Sequence, residues 1–393
     1  MKKLVMAAAV LGAFAGAAQA QTSVTLYGIA DGDLRFDHTN IGTLKSVGSG
    51  GESGSRWGLR GTEDLGGGLK ANFIFEQGID ITDNSSPQGS IGGGASAGFG
   101  GASTAPHSST GSRLFGRIAQ VGLSGNFGEI KFGRGYNPLF LVQFAADPYG
   151  AGLVGQASNI FTLNTIRNDN AVYYDTPRFA GFQASGVWQL GESTTNSTTT
   201  QAKRGNDRYG AGLTYANGPL FVGFGHEQIR SNLDTFRTRT SDLGATYDFG
   251  VVKLHGIYWR TRADTSPFIP TANLREQAYF AGVTVPFGAW TFIGGYGRVR
   301  DKSHSNLVNV DLGTPRANYF NTAIRYSLSK RTVLYTSYGR LNLKTGPNGN
   351  AYQGYSGLAD ASNSGLYNTG NLFGPGGANV NPYSYQFGIR HLF

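Results

Sequence analysis

The sequence predicts an all-β protein, a single 16-stranded antiparallel transmembrane β-barrel. Apolar and polar residues alternate with a period of two along most of the chain. Short turns also alternate with long polar links. Composition agrees, because 61 of the 393 residues are Gly, 12% are aromatic and only 15% are charged. So few charges would leave a large soluble surface poorly covered.

The first and last strands show the alternation clearly. In "SVTLYGIADGDLRF", Leu26 and Leu34 share one face, and Asp31 and Arg35 share the other. The last eleven residues, "YSYQFGIRHLF", keep the pattern up to Phe393. A sheet in hydrocarbon cannot leave an edge unpaired. We therefore expect the last strand to pair with the first, with its apolar face towards lipid.

The connections between strands alternate in length. Seven short turns are found at 64–68, 125–128, 176–180, 217–219, 248–250, 286–289 and 328–331. Eight long links are found at 38–54, 80–111, 136–165, 191–206, 230–236, 264–273, 302–315 and 344–380. Together they join sixteen strands, with short turns on one side of the membrane and long loops on the other. Aromatic residues, typical of the membrane boundary, flank most short turns: Phe127, Tyr174, Phe179, Tyr215, Phe221, Tyr247, Phe249, Phe287, Trp290 and Tyr326.

The N-terminus predicts export. Residues 1–20 combine a basic start, a short apolar run and an "AQA" cleavage pattern, so we interpret them as a signal peptide and residues 21–393 as one barrel domain. The absence of Cys removes disulfides, thiol catalysis and Cys-ligated zinc. No later stretch is apolar enough for a spanning helix. A net charge of +9 in an exported protein favours an interior that attracts anions over a nucleic-acid partner.

The third long link is the candidate constriction. It is unusually apolar for an exposed loop and holds a single acid, Asp147. We expect it to fold inward and pack on the inner wall; the alternative is a loop lying across the barrel mouth. Arg56 and Arg60, about 13 Å apart on one strand face opposite Trp57, should line the lumen.

The chain resembles the trimeric general porins of Gram-negative outer membranes, especially their beta-proteobacterial branch. The resemblance covers the mature chain and is most specific in "SVTLYGIADGDL", "SRWGLRGTEDLGGGLKANF", "VGLSGNFGEIKFGRGYNP" and "NDNAVYYDTPRFAGF". It implies a 16-stranded barrel, a homotrimer and an inward-folded third loop. It also implies that Phe393 is a signal to the barrel assembly machinery.

The resemblance further implies the constriction residues. Arg56, Arg60, Arg134 and Arg167 would form a positive wall facing Asp147. Strict alternation through Phe132 would send Arg134 outward, so its lumen position depends on the resemblance and on a break near residues 133–135. Rings of arginine are expected in anion pores. We predict passive diffusion of small hydrophilic solutes and ions across the outer membrane, with anions weakly preferred and no cofactor.

Other charged residues are predicted on lumen faces, where they could simply solvate a wet wall. They are Asp31, Lys70, Glu76, Lys131, Arg208 and Arg325.

Several alternatives remain at the level of sequence. A solute-specific channel for sugars or organic anions is the closest, and a sugar channel would need an aromatic track such as Tyr173, Trp259 and Tyr319. A barrel adhesin would use the links at 80–111 and 344–380. We reject catalysis at "GASAG", because that segment lacks the strand–turn–helix context of a hydrolase. The sequence does not exclude calcium sites in the loops.

Overall fold

In this computed structural model, the described residues are 23–39, 42–82, 114–161, 166–191, 204–231, 234–264, 273–302, 316–344 and 383–393. The signal-peptide interpretation, the "GASAG" segment and most of the long links predicted at 80–111, 191–206, 264–273, 302–315 and 344–380 lie outside them. Among the described residues, no helix combines the length and the apolar character needed to span a membrane.

The described residues form seventeen strands, one α-helix and one short 3-10 helix. The strands are β1 Ser23–Thr39, β2 Gly42–Ser49, β3 Arg56–Gly66, β4 Leu69–Gly78, β5 Ile118–Gly125, β6 Gly128–Tyr136, β7 Arg167–Asp175, β8 Phe182–Gln189, β9 Arg208–Asn217, β10 Leu220–Arg230, β11 Arg237–Asp248, β12 Lys253–Ala263, β13 Leu274–Phe287, β14 Trp290–Asp301, β15 Arg316–Ser327, β16 Thr332–Lys344 and β17 Tyr383–Leu392. The helix, α1, spans Pro138–Ala146, and the 3-10 helix spans Ala157–Ile160.

The strands form one closed antiparallel sheet with sixteen wall positions, as predicted. β17 pairs with β1, and Gly28 and Phe393 exchange backbone hydrogen bonds of 3.0 and 3.1 Å. Tyr385, Phe387 and Ile389 are about half exposed, whereas Gln386 is fully buried. The apolar face of the last strand therefore points outward, and its final residues close the barrel.

The first predicted link contains a strand that the sequence analysis missed. β1 is long enough to pair with β2 through residues 32–39 and with β3 through residues 23–29. β2 and β3 thus occupy one wall position, interrupted at residues 50–55. The strand was missed because its polar residues weaken the alternation of apolar and polar positions. The seven short turns lie where they were predicted.

The third link packs against the polar face of the wall, opposite the exposed apolar band. Leu139 and Val142 of α1 are buried, and α1 contacts β8 to β12. Beyond α1, the hydroxyl of Tyr149 donates to Oδ1 of Asn321 on β15 at 2.6 Å. The backbone N–H of Leu153 donates to the carbonyl of Gly51 at 2.6 Å. Residues 138–161 thus supply much of the buried apolar core.

Glycines on β10 and β11 make room for α1. A Cβ added at Gly244 would lie 2.7 Å from Cβ of Ala146, and one at Gly225 would lie 2.6 Å from Cα of Leu139. Phe221, which the sequence placed in the outer aromatic girdle, instead packs on the core cluster. That expectation was wrong because residue 221 shares its face with Gly223 and Gly225, the face that meets α1.

Candidate functional site

Glu76 on β4 lies at the centre of a cluster of cationic side chains. Its Oε1 is 2.7 Å from Nε of Arg117 and 3.7 Å from Nη1 of Arg56. The hydroxyl of Tyr27 donates to its Oε2 at 3.0 Å. A carboxylate held by three such partners is fully neutralised, so the surrounding guanidinium groups carry the excess charge.

Tyr136 connects further arginines to this cluster. Its hydroxyl accepts from Nη2 of Arg117 at 2.9 Å and from Nη2 of Arg167 at 3.2 Å. The guanidinium carbon of Arg167 lies 4.7 Å from the centre of the Tyr136 ring. Arg60 lies similarly over the Tyr27 ring, at 5.4 Å. We call Arg56, Arg60, Arg117 and Arg167, with Glu76, Tyr27 and Tyr136, the arginine cluster.

The strand pattern explains why these side chains meet. Arg56 and Arg60 share one face of β3 with Gly58, while Trp57 points to the other face and contacts Phe115. Register places Gly58 beside Glu76 and Tyr136 beside Arg167. Three of the four predicted constriction arginines, Arg56, Arg60 and Arg167, therefore lie together on the polar face.

Arg134 is not part of the arginine cluster. Its register partner is Ala119, which shares a strand face with the exposed Val121. Its guanidinium binds the carbonyl of Gly116 and the carboxylate of Asp169. The predicted break exists, as a register shift between Gly133 and Gly135. Despite this break, Arg134 lies on the outer face, where strict alternation places it. Its predicted lumen position was therefore wrong.

Asp147 does not face the arginine cluster either. Its Oδ1 accepts from the backbone N–H of Tyr149 at 3.0 Å, and its Oδ2 accepts from those of Ala151 and Ala157, both at 3.1 Å. Burial raises the pKa of this carboxyl to about 6, although the three N–H donors and the Arg325 charge oppose the shift. Asp147 therefore binds the backbone of the third link. These contacts differ from its predicted role as a negative charge facing the arginines.

Two of the other predicted lumen residues, Asp31 and Lys131, have local partners. Asp31 accepts from the Tyr335 hydroxyl at 2.5 Å and from the backbone of Glu52 and Ser53. Nζ of Lys131 lies 2.6 Å from Asp175 and 3.1 Å from Glu129. Arg208 is buried, and Lys70 is exposed near a short turn.

A second charged site lies where residues 50–55 interrupt the wall. The Glu52 carboxylate, almost fully buried, is 2.5 Å from Nε of Arg325 and 3.4 Å from Nη1 of Arg390. The Arg325 side chain also donates to the carbonyl of Tyr149, at 3.5 Å. Glu52 therefore lies between β15, β17 and the third link.

Sequence analysis missed Arg117, Tyr136 and Glu52. Arg117 precedes β5 by one residue, where alternation gives no direction. Tyr136 ends β6 at the start of the third link, and Glu52 lies in a segment predicted to be a loop. The structure explains the position of Arg117, because the register pairing of Ile118 with Glu76 brings the residue before Ile118 next to an inward acid; the sequence alone offers no such signal.

No group of three or more potential metal ligands is found among the residues that the structure describes. Most residues of the long loops, where the sequence left calcium sites open, lie outside that part of the chain. Two residues of the aromatic track that a sugar channel would need are not open to the lumen. Trp259 stacks on Phe161 at 4.8 Å, and the Tyr319 hydroxyl donates to the carbonyl of Val154. Both rings are covered by the third link.

Comparisons with known proteins agree with this architecture. A family model described as Gram-negative porin matches residues 7–346. An outer membrane porin protein of Bordetella pertussis is 34% identical over 402 residues, covering 86% of this chain and 94% of its own length. Outer membrane porin protein 32 of Delftia acidovorans is 32% identical over 405 residues, covering 100% of both chains.

Solved structures show the same fold. The anion-selective porin from Comamonas acidovorans is 28% identical, with a TM-score of 0.71 over 95% of this chain and 100% of that one. OmpT of Vibrio cholerae, at 15% identity and a TM-score of 0.63, shares the fold. The chain therefore belongs to the Gram-negative porin family, the passive channels of the outer membrane.

Proposed function

We propose that this porin is a weakly anion-selective channel for small hydrophilic solutes, exported with a signal peptide at residues 1–20. The arginine cluster carries this proposal. The cluster holds four guanidinium groups and one carboxylate: Arg56 and Arg117 contact Glu76, and Arg60 and Arg167 lie over the rings of Tyr27 and Tyr136. Guanidinium remains protonated at any relevant pH and binds carboxylate and phosphate well. An excess of such groups on a channel wall attracts anions.

We further propose that the third link is the inward-folded constriction. Its buried contacts with the polar face of β8 to β12, and those with Asn321 and Gly51, support this role. A barrel of sixteen strands is wide enough to pass water unless something narrows it. The link would narrow the pore, while the arginine cluster would supply the field at its edge.

The mechanism requires no energy input and no covalent step. An anion near the cluster exchanges part of its hydration for guanidinium hydrogen bonds, and a cation is repelled there. The partners of the cluster keep these side chains in place, since Arg117 and Arg167 share the Tyr136 hydroxyl. Screening over about 8 Å at physiological salt limits the preference to a weak one.

A homotrimer belongs to the same proposal, with the barrel assembly machinery recognising the strand that ends at Phe393. In such a trimer, a neighbouring barrel would cover exposed apolar residues on the outer face of β1 and β5, such as Val24, Leu26 and Val121. We propose no catalytic role.

A second candidate is a channel with a preference for organic anions. The pairing of Arg167 with Tyr136 and of Arg60 with Tyr27 favours it, because a cation beside a ring suits a carboxylate on an apolar body. A sugar channel has less support, since the third link covers Trp259 and Tyr319.

The test is the reversal potential of the purified protein in a planar bilayer across a KCl gradient. We expect chloride to be preferred in dilute salt, a weaker preference in concentrated salt, and closing steps in threes. Sodium benzoate in place of KCl tests the second candidate. We expect the conductance to saturate with salt concentration at a lower value in benzoate than in chloride. Preference for potassium would contradict the proposed role of the arginine cluster.

A further inference from the structure

Tyr136 differs from other tyrosines on the polar face of the wall in the direction of its hydrogen bonds. Its hydroxyl oxygen accepts from Nη2 of Arg117 at 2.9 Å and from Nη2 of Arg167 at 3.2 Å. Both donors are guanidinium groups, which carry a full positive charge. The phenol oxygen of Tyr136 therefore lies between two cations.

Tyrosines elsewhere on that face donate their hydroxyl protons. Tyr27 donates to Oε2 of Glu76 at 3.0 Å, and Tyr335 donates to Oδ1 of Asp31 at 2.5 Å. Tyr173 donates to two backbone carbonyl groups, both at 2.9 Å. A phenolate at position 27 or 335 would lie against a carboxylate, whereas a phenolate at position 136 would be held by two cations.

The charge around Tyr136 is mostly positive. The charged side chains of the cluster that face it are three arginines and one acid: Arg56, Arg117, Arg167 and Glu76. The acid is already paired with Arg56 and Arg117. Within the described part of the chain, Arg167 forms no ion pair. A negative charge on Tyr136 would therefore give Arg167 an anionic partner.

The other neighbours of Tyr136 do not oppose such a charge. The uncharged ring of Phe140, on α1, stacks on the Tyr136 ring at 5.5 Å. Glu227 of β10 is held by the next residue, Asn137, whose Nδ2 donates to its Oε1 at 2.7 Å. Tyr136 is also partly exposed. Water therefore has access to this residue and can take up a proton released there.

We propose that Tyr136 determines how the anion preference of the arginine cluster depends on pH. In alkaline solution, at about pH 10 where phenols ionise, its O–H bond breaks, the electron pair stays on oxygen and the proton passes to water. The phenolate remains bound between Arg117 and Arg167. This inference rests on the proposed anion selectivity of the cluster, and it names a residue that changes that selectivity.

Ionisation of Tyr136 lowers the net charge of the cluster. Four guanidinium groups and one carboxylate give +3, and one added phenolate gives +2. A unit charge about 6 Å from a passing ion changes the local ion concentration by about threefold in water, and by less as salt screens it. We therefore expect the ratio of chloride to potassium permeability to fall by about threefold in dilute salt.

The test compares the wild type, Tyr136→Phe and the control Tyr174→Phe in planar bilayers. Tyr174 is an exposed tyrosine of β7, outside the cluster, whose hydroxyl donates to the carbonyl of Phe127 at 2.6 Å. Reversal potentials are measured in a dilute KCl gradient at about pH 7 and about pH 10.5, and each protein is compared with its own value at the lower pH. We expect the permeability ratio to fall about threefold further in the wild type and in Tyr174→Phe than in Tyr136→Phe. Lysine side chains also titrate in this range, and the comparison between variants removes their contribution.

A second readout detects the phenolate itself and does not depend on selectivity. Ultraviolet difference absorbance of the folded protein in detergent follows the ionisation of its tyrosines as pH rises. The chain has 20 tyrosines, so the curve of Tyr136→Phe is subtracted from that of the wild type. We expect the difference to correspond to one phenol that ionises over the same pH range as the shift in reversal potential.

Three results would overturn the proposal. They are an equal fall of the permeability ratio in the wild type and Tyr136→Phe, identical absorbance curves for these two proteins, and loss of the alkaline shift in Tyr174→Phe. If Tyr136→Phe does not fold, Tyr136→Leu, which also lacks a hydroxyl, is measured in its place. The absence of a chloride preference in the wild type at about pH 7 would instead contradict the proposed function. The absorbance titration would still decide whether Tyr136 ionises.

Discussion

The polar face of the wall has two unlike regions. At β3 to β7, polar and charged groups meet one another directly, as Arg56, Arg117 and Arg167 do around Glu76 and Tyr136. At β9 to β13, the third link covers the wall with apolar contacts, and glycines replace side chains beneath it.

Under the proposed function, this difference would separate the anchoring of the third link from the ionic selectivity of the pore. The link is held by burial, which is non-directional and strong per unit area. The arginines are held by ion pairs and directional hydrogen bonds, such as those of Arg117 with Glu76 and Tyr136. Changes to the contacts of the third link at β9 to β13 should therefore alter the shape of the pore more than its charge. Changes to the arginines at β3 to β7 should alter its charge.

The largest effect is expected from Leu139→Asp, which places a charge in the fully buried contact between α1 and β10. A buried unpaired charge is strongly disfavoured, so α1 should detach from the wall. We expect cleavage of the link by proteinase K and unsteady single-channel current. The matched control is Leu141→Asp on the same helix, where Leu141 is 45% exposed. Equal protease resistance of the two variants would contradict the anchoring role of Leu139.

A smaller effect is expected from Glu52→Gln, which removes the carboxylate between Arg325 and Arg390. Two cations would then lack their partner, so stability should fall by about 3 kcal/mol or more. The chloride preference should rise modestly at the same time. Thermal unfolding and reversal potentials measure the two effects. Glu129→Gln, near a short turn, is the control; a similar loss of stability there would show that Glu52 has no special role.

The smallest effect concerns pH. Burial raises the pKa of Asp147 to about 6 in the folded protein, from its ordinary value of 3.8. A raised carboxyl pKa means that the folded state binds the proton more tightly than the unfolded state. The contribution of this proton to the free energy of unfolding is therefore largest below about pH 4 and is lost as pH rises through about 6. The protection of the Ala151 and Ala157 amides against hydrogen exchange, measured relative to the intrinsic rate at each pH, should therefore fall across that window. Asp147→Asn should remove this pH dependence; its persistence in the variant would assign the effect elsewhere.

Much of the barrel could be predicted from the sequence, because lipid on one face and water on the other impose alternation on every strand. The short turns and the closure at Phe393 follow from that rule. β2 could not be predicted, since Gly and Ser at its positions blur the two faces. The direction of Phe221 was misjudged for a different reason, because an apolar residue also suits the inner face where a helix covers it.

The candidate site was less predictable than the wall. Arg56, Arg60 and Arg167 could be located from strand faces and resemblance. Arg117 and Tyr136 join them only through cross-strand register, which the sequence does not specify. Asp147 was misassigned because a lone acid in a loop can bind its own backbone, which depends on the loop's fold.

The central claim is that the arginine cluster sets the ionic preference of the pore. The most direct measurement is the reversal potential of Arg56→Gln/Arg117→Gln/Arg167→Gln in a dilute KCl gradient, beside the wild type and the turn variant Arg178→Gln/Lys330→Gln/Arg331→Gln. With Arg60 as the one cation left in the cluster beside Glu76, the account predicts loss of the chloride preference, and no change in the turn variant. An unchanged chloride preference in the folded cluster variant would contradict it.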